Sequence, residues 1–143
     1  MICTFIWVLL LLFDKENRFR LILLLLAVLV LTDQTGRIIK EFEFRERPWY
    51  ALKGSIIHLG NIRTPMSSFP SNHAANATAM MLVLWSIYGR PILFGTIALI
   101  IIFSRIYIGM HYPSDTIAGV LIGGSYAMLV LGIYNRYNEY NTS

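Results

Sequence analysis

Three short stretches hold the side chains best suited to chemistry. "KEFEFRERP" supplies Lys40 and, after six intervening residues, Arg47 and Pro48. "PSNH" supplies Ser71, Asn72 and His73 directly behind Pro70. "SRIYIGMHYPSD" supplies Arg105, then His111, then Asp115. Together they offer three permanent cations, two histidines and one carboxylate. Arginine forks take phosphate oxygens two at a time, and lysine adds a point charge. No cluster of carboxylates, cysteines or histidines has the spacing of a metal site. The predicted chemistry is therefore the handling of a phosphate by cations, with neither metal nor cofactor.

Local sequence strengthens that reading. "FPSNH" runs straight into an apolar segment, so Ser71 or Asn72 is a natural helix N-cap. The amides of such a first turn point outward at the positive end of the helix dipole, where an anion is favoured. In "HYPSD", Pro113 suits the first helical position and puts Asp115 in the first turn. From there the carboxylate can reach back to His111, fix its tautomer and leave the other ring nitrogen as nucleophile or base.

The pattern K-x6-RP, PSxH and SR-x5-H-x3-D resembles the three-part signature of the type-2 phosphatidic acid phosphatases, a family that includes glucose-6-phosphatase and the vanadium haloperoxidases. The resemblance covers roughly residues 36 to 125. It implies that His111 attacks phosphorus and forms a phosphohistidine, that Asp115 orients it, and that His73 protonates the leaving oxygen and then activates water. It also implies that Lys40, Arg47 and Arg105 hold the phosphoryl oxygens, with Ser71 and the amide of Asn72 completing the cradle. The family usually has glycine where Asn72 stands. Asparagine tolerates unusual backbone angles, but its side chain narrows the pocket.

These residues need a scaffold, and composition says which kind. The 143 residues are 56% hydrophobic and only 14% charged, against roughly 25% charged in an ordinary soluble domain. One all-α polytopic membrane domain spanning 1–143 is expected, with about five apolar segments. The first, Ile2 to Phe13, is too short to cross a core that takes about 20 residues, and reads as a partly inserted or truncated helix. The others run from Phe19 to about Ile39, Ser71 to Tyr88, Pro91 to about Ile108 and Pro113 to about Tyr134, with "NRYNEYNTS" as a polar tail. Thr32, Asp33, Gln34 and Thr35 give the second segment a polar end that should face protein or water. Gly119, Gly123, Gly124 and Ser125 suit close helix packing. Alternating crossings bring the three polar stretches to one membrane face.

The net charge of +4 gathers near those stretches and suits an anionic partner. Arg37, Arg45, Lys53 and Arg63 read as interfacial anchors, and His58 as part of a loop over the site. The single cysteine, Cys3, allows no internal disulfide. Lys15, Arg18, Arg20, Arg90 and Arg136 on the opposite side place that side in the cytoplasm. The expected protein is a bacterial inner-membrane lipid phosphatase with its site facing the periplasm or exterior. Expected substrates are undecaprenyl diphosphate, phosphatidylglycerol phosphate, phosphatidic acid or the 1-phosphate of lipid A, with no nucleic-acid partner. The alternative is a lipid phosphotransferase that passes the same phosphoryl group to a second lipid.

Overall fold

The computed structural model describes residues 18–42, 45–52 and 67–142. Among them all regular structure is helical: α1 (Arg18–Lys40), the single turn α2 (Pro48–Ala51), α3 (Asn72–Tyr88), α4 (Pro91–Tyr107) and α5 (Pro113–Thr142). The expected segment Ile2 to Phe13, together with Lys53, His58 and Arg63, lies outside the described residues.

Two helices, α1 and α5, are long and apolar enough to cross a membrane; α4 is apolar but has only 17 residues. The structure thus gives two candidate spans where the sequence suggested about five. The last helix also runs further than expected, to Thr142 instead of Tyr134. Neither glycine nor proline interrupts the chain after Gly132, so the drop in hydropathy there marks the edge of the apolar span while the helix continues.

Helix α3 is the centre of the bundle and packs against α5, α4 and α1. Its ends are defined locally. Ser71 is the N-cap, its hydroxyl accepting the Ala74 amide at 3.4 Å, and Gly89 closes the C-terminus at φ 64°, where a side chain is disfavoured. Proline then opens α4 at its first position. Along α3 the buried residues begin as a run of alanines, Ala74, Ala75, Ala77 and Ala79, before Met80, Met81, Val83 and Leu84. In lipid, burial of apolar surface drives little helix association, so close backbone approach matters more. Gly119 and Gly123 of α5 supply it: a Cβ on Gly119 would lie 2.5 Å from the Ser71 carbonyl oxygen, and one on Gly123 would lie 2.2 Å from that of Ala75. Gly124 plays no such part, since a Cβ there meets nothing within 4 Å.

The polar end of α1 turns Thr32 and Thr35 toward protein and leaves Asp33 and Gln34 exposed. Thr32 donates to the Val28 carbonyl at 2.8 Å and also contacts the Asn76 amide oxygen, while Thr35 and Tyr126 of α5 share a 2.7 Å hydrogen bond. At the edge of the bundle, α4 buries only Ala98 and leaves Ile92 85% and Leu99 67% exposed. A surface of that kind suits lipid better than water.

Candidate active site

The three stretches meet at one end of the bundle, and Asp115 is where they are tied. It sits in the first turn of α5 and is fully buried. One carboxylate oxygen accepts the Tyr112 amide at 2.9 Å and the Ser68 hydroxyl; the other accepts Arg45 Nη1 at 2.9 Å. Its main-chain carbonyl takes the Ser71 amide at 3.0 Å. One residue thus fastens the region of Arg45, the turn before α3 and the start of α5.

His111 is buried just ahead of α5. Its Nδ1 lies 2.7 Å from the main-chain carbonyl oxygen of Ser68. A carbonyl only accepts, so Nδ1 carries the proton and Nε2 keeps its lone pair. The Asp115 carboxylate lies 3.8 Å from Nδ1, too far for a hydrogen bond. The expected direct contact is therefore replaced by an indirect one: Asp115 holds the Ser68 hydroxyl, and the Ser68 carbonyl holds the imidazole. The carboxylate's lone pairs are taken by Ser68, Tyr112 and Arg45. Burial, with the charges of Arg47 and Lys40, pushes the His111 imidazole below its ordinary value of 6.5, while Asp115 and the Ser68 carbonyl push back.

Arg47 is buried beside it. Its Nη1 and Nη2 make only long contacts, 3.3 Å to the Met110 carbonyl and 3.4 Å to that of Ser67. Its Nε–H is buried and has no acceptor among the described residues. Burial lowers the guanidinium's affinity for its proton, against the field of Asp115, yet an arginine stays charged. A buried cation with an unmet donor favours an anion there.

Lys40, at the end of α1, donates to the Asn72 side-chain oxygen. His73, in the first turn of α3, is exposed, feels the charges of Arg105, His111 and Lys40, and has no hydrogen-bond partner among the described residues. Arg105 closes α4; its Nε contacts the Ser104 hydroxyl at 3.1 Å and its carbonyl receives the His111 amide at 3.2 Å. Ser71 is fully buried with its hydroxyl committed to the helix cap. Asn72 opens α3, so its main-chain amide belongs to the first turn while its side chain turns toward α1.

Two residues gained importance that their sequence did not announce. Ser68 stands two positions before Pro70 and works through a main-chain oxygen, which has no sequence signature. Arg45 is not the simple interfacial anchor it suggested: it bonds Asp115 and, at 2.7 Å, the Ser114 hydroxyl, and its guanidinium lies 4.6 Å from the centre of the Tyr112 ring. Arg37 pairs with Gln34 at 2.8 Å on the exposed side of α1. Arg45→Gln is expected to cost about 1 kcal/mol of stability, at the low end for such pairs because the arginine side chain is 43% exposed. Chemical denaturation checks this; a variant as stable as the wild type would mean that Asp115 is sufficiently held by Ser68 and Tyr112. Among the described residues no group of three or more His, Cys, Asp or Glu is placed to hold a metal ion.

Comparison with known proteins fits this geometry. Residues 21–139 match the family model described as the PAP2 superfamily. The decaprenylphosphoryl-5-phosphoribose phosphatase of Mycobacterium tuberculosis is 40% identical over 74 residues, covering 49% of this chain and 40% of that protein. Phosphatidylglycerophosphatase B of Bacillus subtilis is 26% identical over 130 residues, covering 82% of this chain and 60% of that one. The chain thus spans less than two thirds of the length of both relatives. The crystal structure of Aquifex aeolicus LpxE superposes with a TM-score of 0.66 at 26% identity, covering 92% of this chain and 76% of that one.

Proposed function

The chain belongs to the PAP2 superfamily, and from that premise we propose that it removes a phosphoryl group from a lipid phosphate through a phosphohistidine on His111. The observation that carries the proposal is the 2.7 Å contact from His111 Nδ1 to the Ser68 carbonyl, which reserves the Nε2 lone pair for attack. In the first step Nε2 forms a bond to phosphorus as the bond from phosphorus to the lipid oxygen breaks. The leaving oxygen takes a proton from His73. In the second step His73 accepts a proton from water, whose oxygen attacks phosphorus; the bond to Nε2 breaks and inorganic phosphate leaves.

Charge on the phosphoryl oxygens is the main obstacle in such a transfer, and fixed cations lower it. Lys40, Arg47 and Arg105 take that role, joined by the main-chain amide of Asn72. Ser71, expected from the sequence in the same cradle, is instead fully buried with its hydroxyl on the Ala74 amide and its own amide on the Asp115 carbonyl, and so serves as the cap of α3. The unmet, buried Nε–H of Arg47 supports a site preorganised for a ligand.

The protein is read as integral to the membrane, with lipid reaching the site between helices. Arg20 stacks 4.7 Å from the Tyr134 ring, joining the start of α1 to the far part of α5. Arg18, Arg90 and Arg136 belong to that same end, opposite the site. By the positive-inside rule this end is cytoplasmic and the site faces the periplasm or exterior of a bacterial inner membrane. The substrate class follows the relatives: polyprenyl-linked phosphates and phosphatidylglycerol phosphate, with phosphatidic acid and lipid A 1-phosphate as further members.

The test is release of inorganic phosphate by purified protein in detergent with EDTA, across undecaprenyl diphosphate, phosphatidylglycerol phosphate, phosphatidic acid and lipid A 1-phosphate. Release from at least one lipid that persists under chelation is expected. Phosphate that moves from one lipid to another without becoming free would favour the transferase reading. No loss of phosphate from any of the four would sink both.

A further inference from the structure

Where the family usually has glycine, this chain places an asparagine, and the structure gives that side chain a specific setting. Asn72 Oδ1 accepts from Lys40 Nζ. Its Nδ2 lies 3.4 Å from Asp33 Oδ1, which also accepts Asn76 Nδ2 at 2.9 Å. The amide therefore stands between an ammonium and a carboxylate, its oxygen toward the cation and its nitrogen toward the anion. Asp33 and Lys40 are seven residues apart, two helical turns, and so lie on one face of α1. Between them on that face is Gly36, where a Cβ would fall 2.2 Å from Asn72 Oδ1 and 2.7 Å from its Cγ. With a side chain at 36 the Asn72 amide would have to turn out of this position.

We propose that Asn72 is a positioning residue that keeps Lys40 apart from Asp33 and holds its ammonium in the phosphate site, with Gly36 as the notch that admits it. The inference rests on the phosphoryl-transfer reading of the site but concerns its anion-binding half alone. An ammonium has three N–H donors. Asn72 takes one and leaves two for phosphoryl oxygens. It also removes rotamer freedom that a long lysine side chain would otherwise lose on binding. With glycine at 72 the facing carboxylate of Asp33 is the nearest anion on the same helix face, and Lys40 swings toward it. The polar network of Thr32, Asp33 and Asn76 beside the site then serves to fix the amide's orientation.

The experiment measures binding of inorganic phosphate to the purified protein by calorimetry, alongside kcat and KM on the best lipid. Asn72→Gly is expected to bind phosphate about tenfold more weakly and to lose a similar factor in kcat, the size of one charge-assisted hydrogen bond. Adding Asp33→Asn should return most of that affinity, because nothing then draws the ammonium away. A purely space-filling role is separated by Gly36→Ala with Asn72→Gly, which refills the notch with a methyl group. This pair is expected to regain thermal stability without regaining phosphate affinity.

Phosphate affinity unchanged or tighter in Asn72→Gly, or restored by the methyl group alone, overturns the proposal. So does a wild-type protein that binds no phosphate. A wild type that binds phosphate with this pattern yet turns over no lipid leaves the positioning role standing and removes the hydrolase reading.

Discussion

His111→Ala is expected to lower phosphate release by about a thousandfold or more, the loss typical of a removed nucleophile. The expectation comes from geometry more than from residue type. With Nδ1 bound to the Ser68 carbonyl at 2.7 Å, Nε2 is the only ring atom left with a lone pair. Acid-labile, alkali-stable phosphate should be trapped on the wild-type protein after rapid quenching and be missing from the variant. A variant that keeps wild-type turnover would refute the covalent route.

The same imidazole sets an acid limit. Attack needs neutral His111, and burial pushes its affinity for protons below the ordinary value of 6.5. Activity is therefore expected to hold as pH falls through 6.5 and to decline only when the lower, folded-state value is crossed. The folding equilibrium shifts with the same sign. Between the folded value and 6.5 the unfolded chain binds more protons at this site, so stability is full above 6.5 and is lost as pH falls below it. A pH–rate profile whose acid limb lies above 6.5 would assign that limb to another group.

Much of this was legible because each motif reports its own local structure. Ser71 before "NHAAN" is a cap, Pro113 opens a helix, and Asp115 follows in its first turn. Of the polar run Thr32 to Thr35, Thr32 is buried against α3 and Thr35 meets α5, whereas Asp33 and Gln34 are exposed. What stayed hidden is contact between segments. Nothing in "SSFPSNH" says that the Ser68 carbonyl will take His111 or that its hydroxyl will take Asp115. Arg45 and Arg47 are two positions apart with only Glu46 between them, and sequence alone assigned only Arg47 to the site. The fold brings both arginines to the same place, Arg45 onto the carboxylate and Arg47 into the buried space beside His111. Likewise Asn72 looked like a departure from pattern until Gly36, thirty-odd residues upstream, proved to be its complement.

The bundle contact that sets these distances predicts the second large effect. Gly123→Leu is expected to abolish activity, and Gly123→Ala to reduce it by about a hundredfold, the scale for a displacement of about 1 Å in an active site. The obstruction is backbone. A Cβ at 123 would meet the Ala75 carbonyl oxygen at 2.2 Å, its carbon at 2.9 Å and its Cα at 3.0 Å, none of which can rotate away. Helices α3 and α5 must then separate. The first carries His73 and Asn72; the second carries Asp115 and is entered through His111, so the proposed acid and nucleophile move apart. Alanine favours a helix over glycine by about 1 kcal/mol, while overpacking costs about 1–3 kcal/mol, so the alanine variant can remain folded and still be impaired. Gly124→Ala is the matched control. It gains the same helix preference, meets nothing within 4 Å, and should keep full activity with equal or higher thermal stability. If Gly123→Ala matched Gly124→Ala in both turnover and melting temperature, α3 and α5 would not be locked at this contact. The placement of the two histidines would then have to be set by the Ser71–Asp115 and Ser68–Asp115 hydrogen bonds alone.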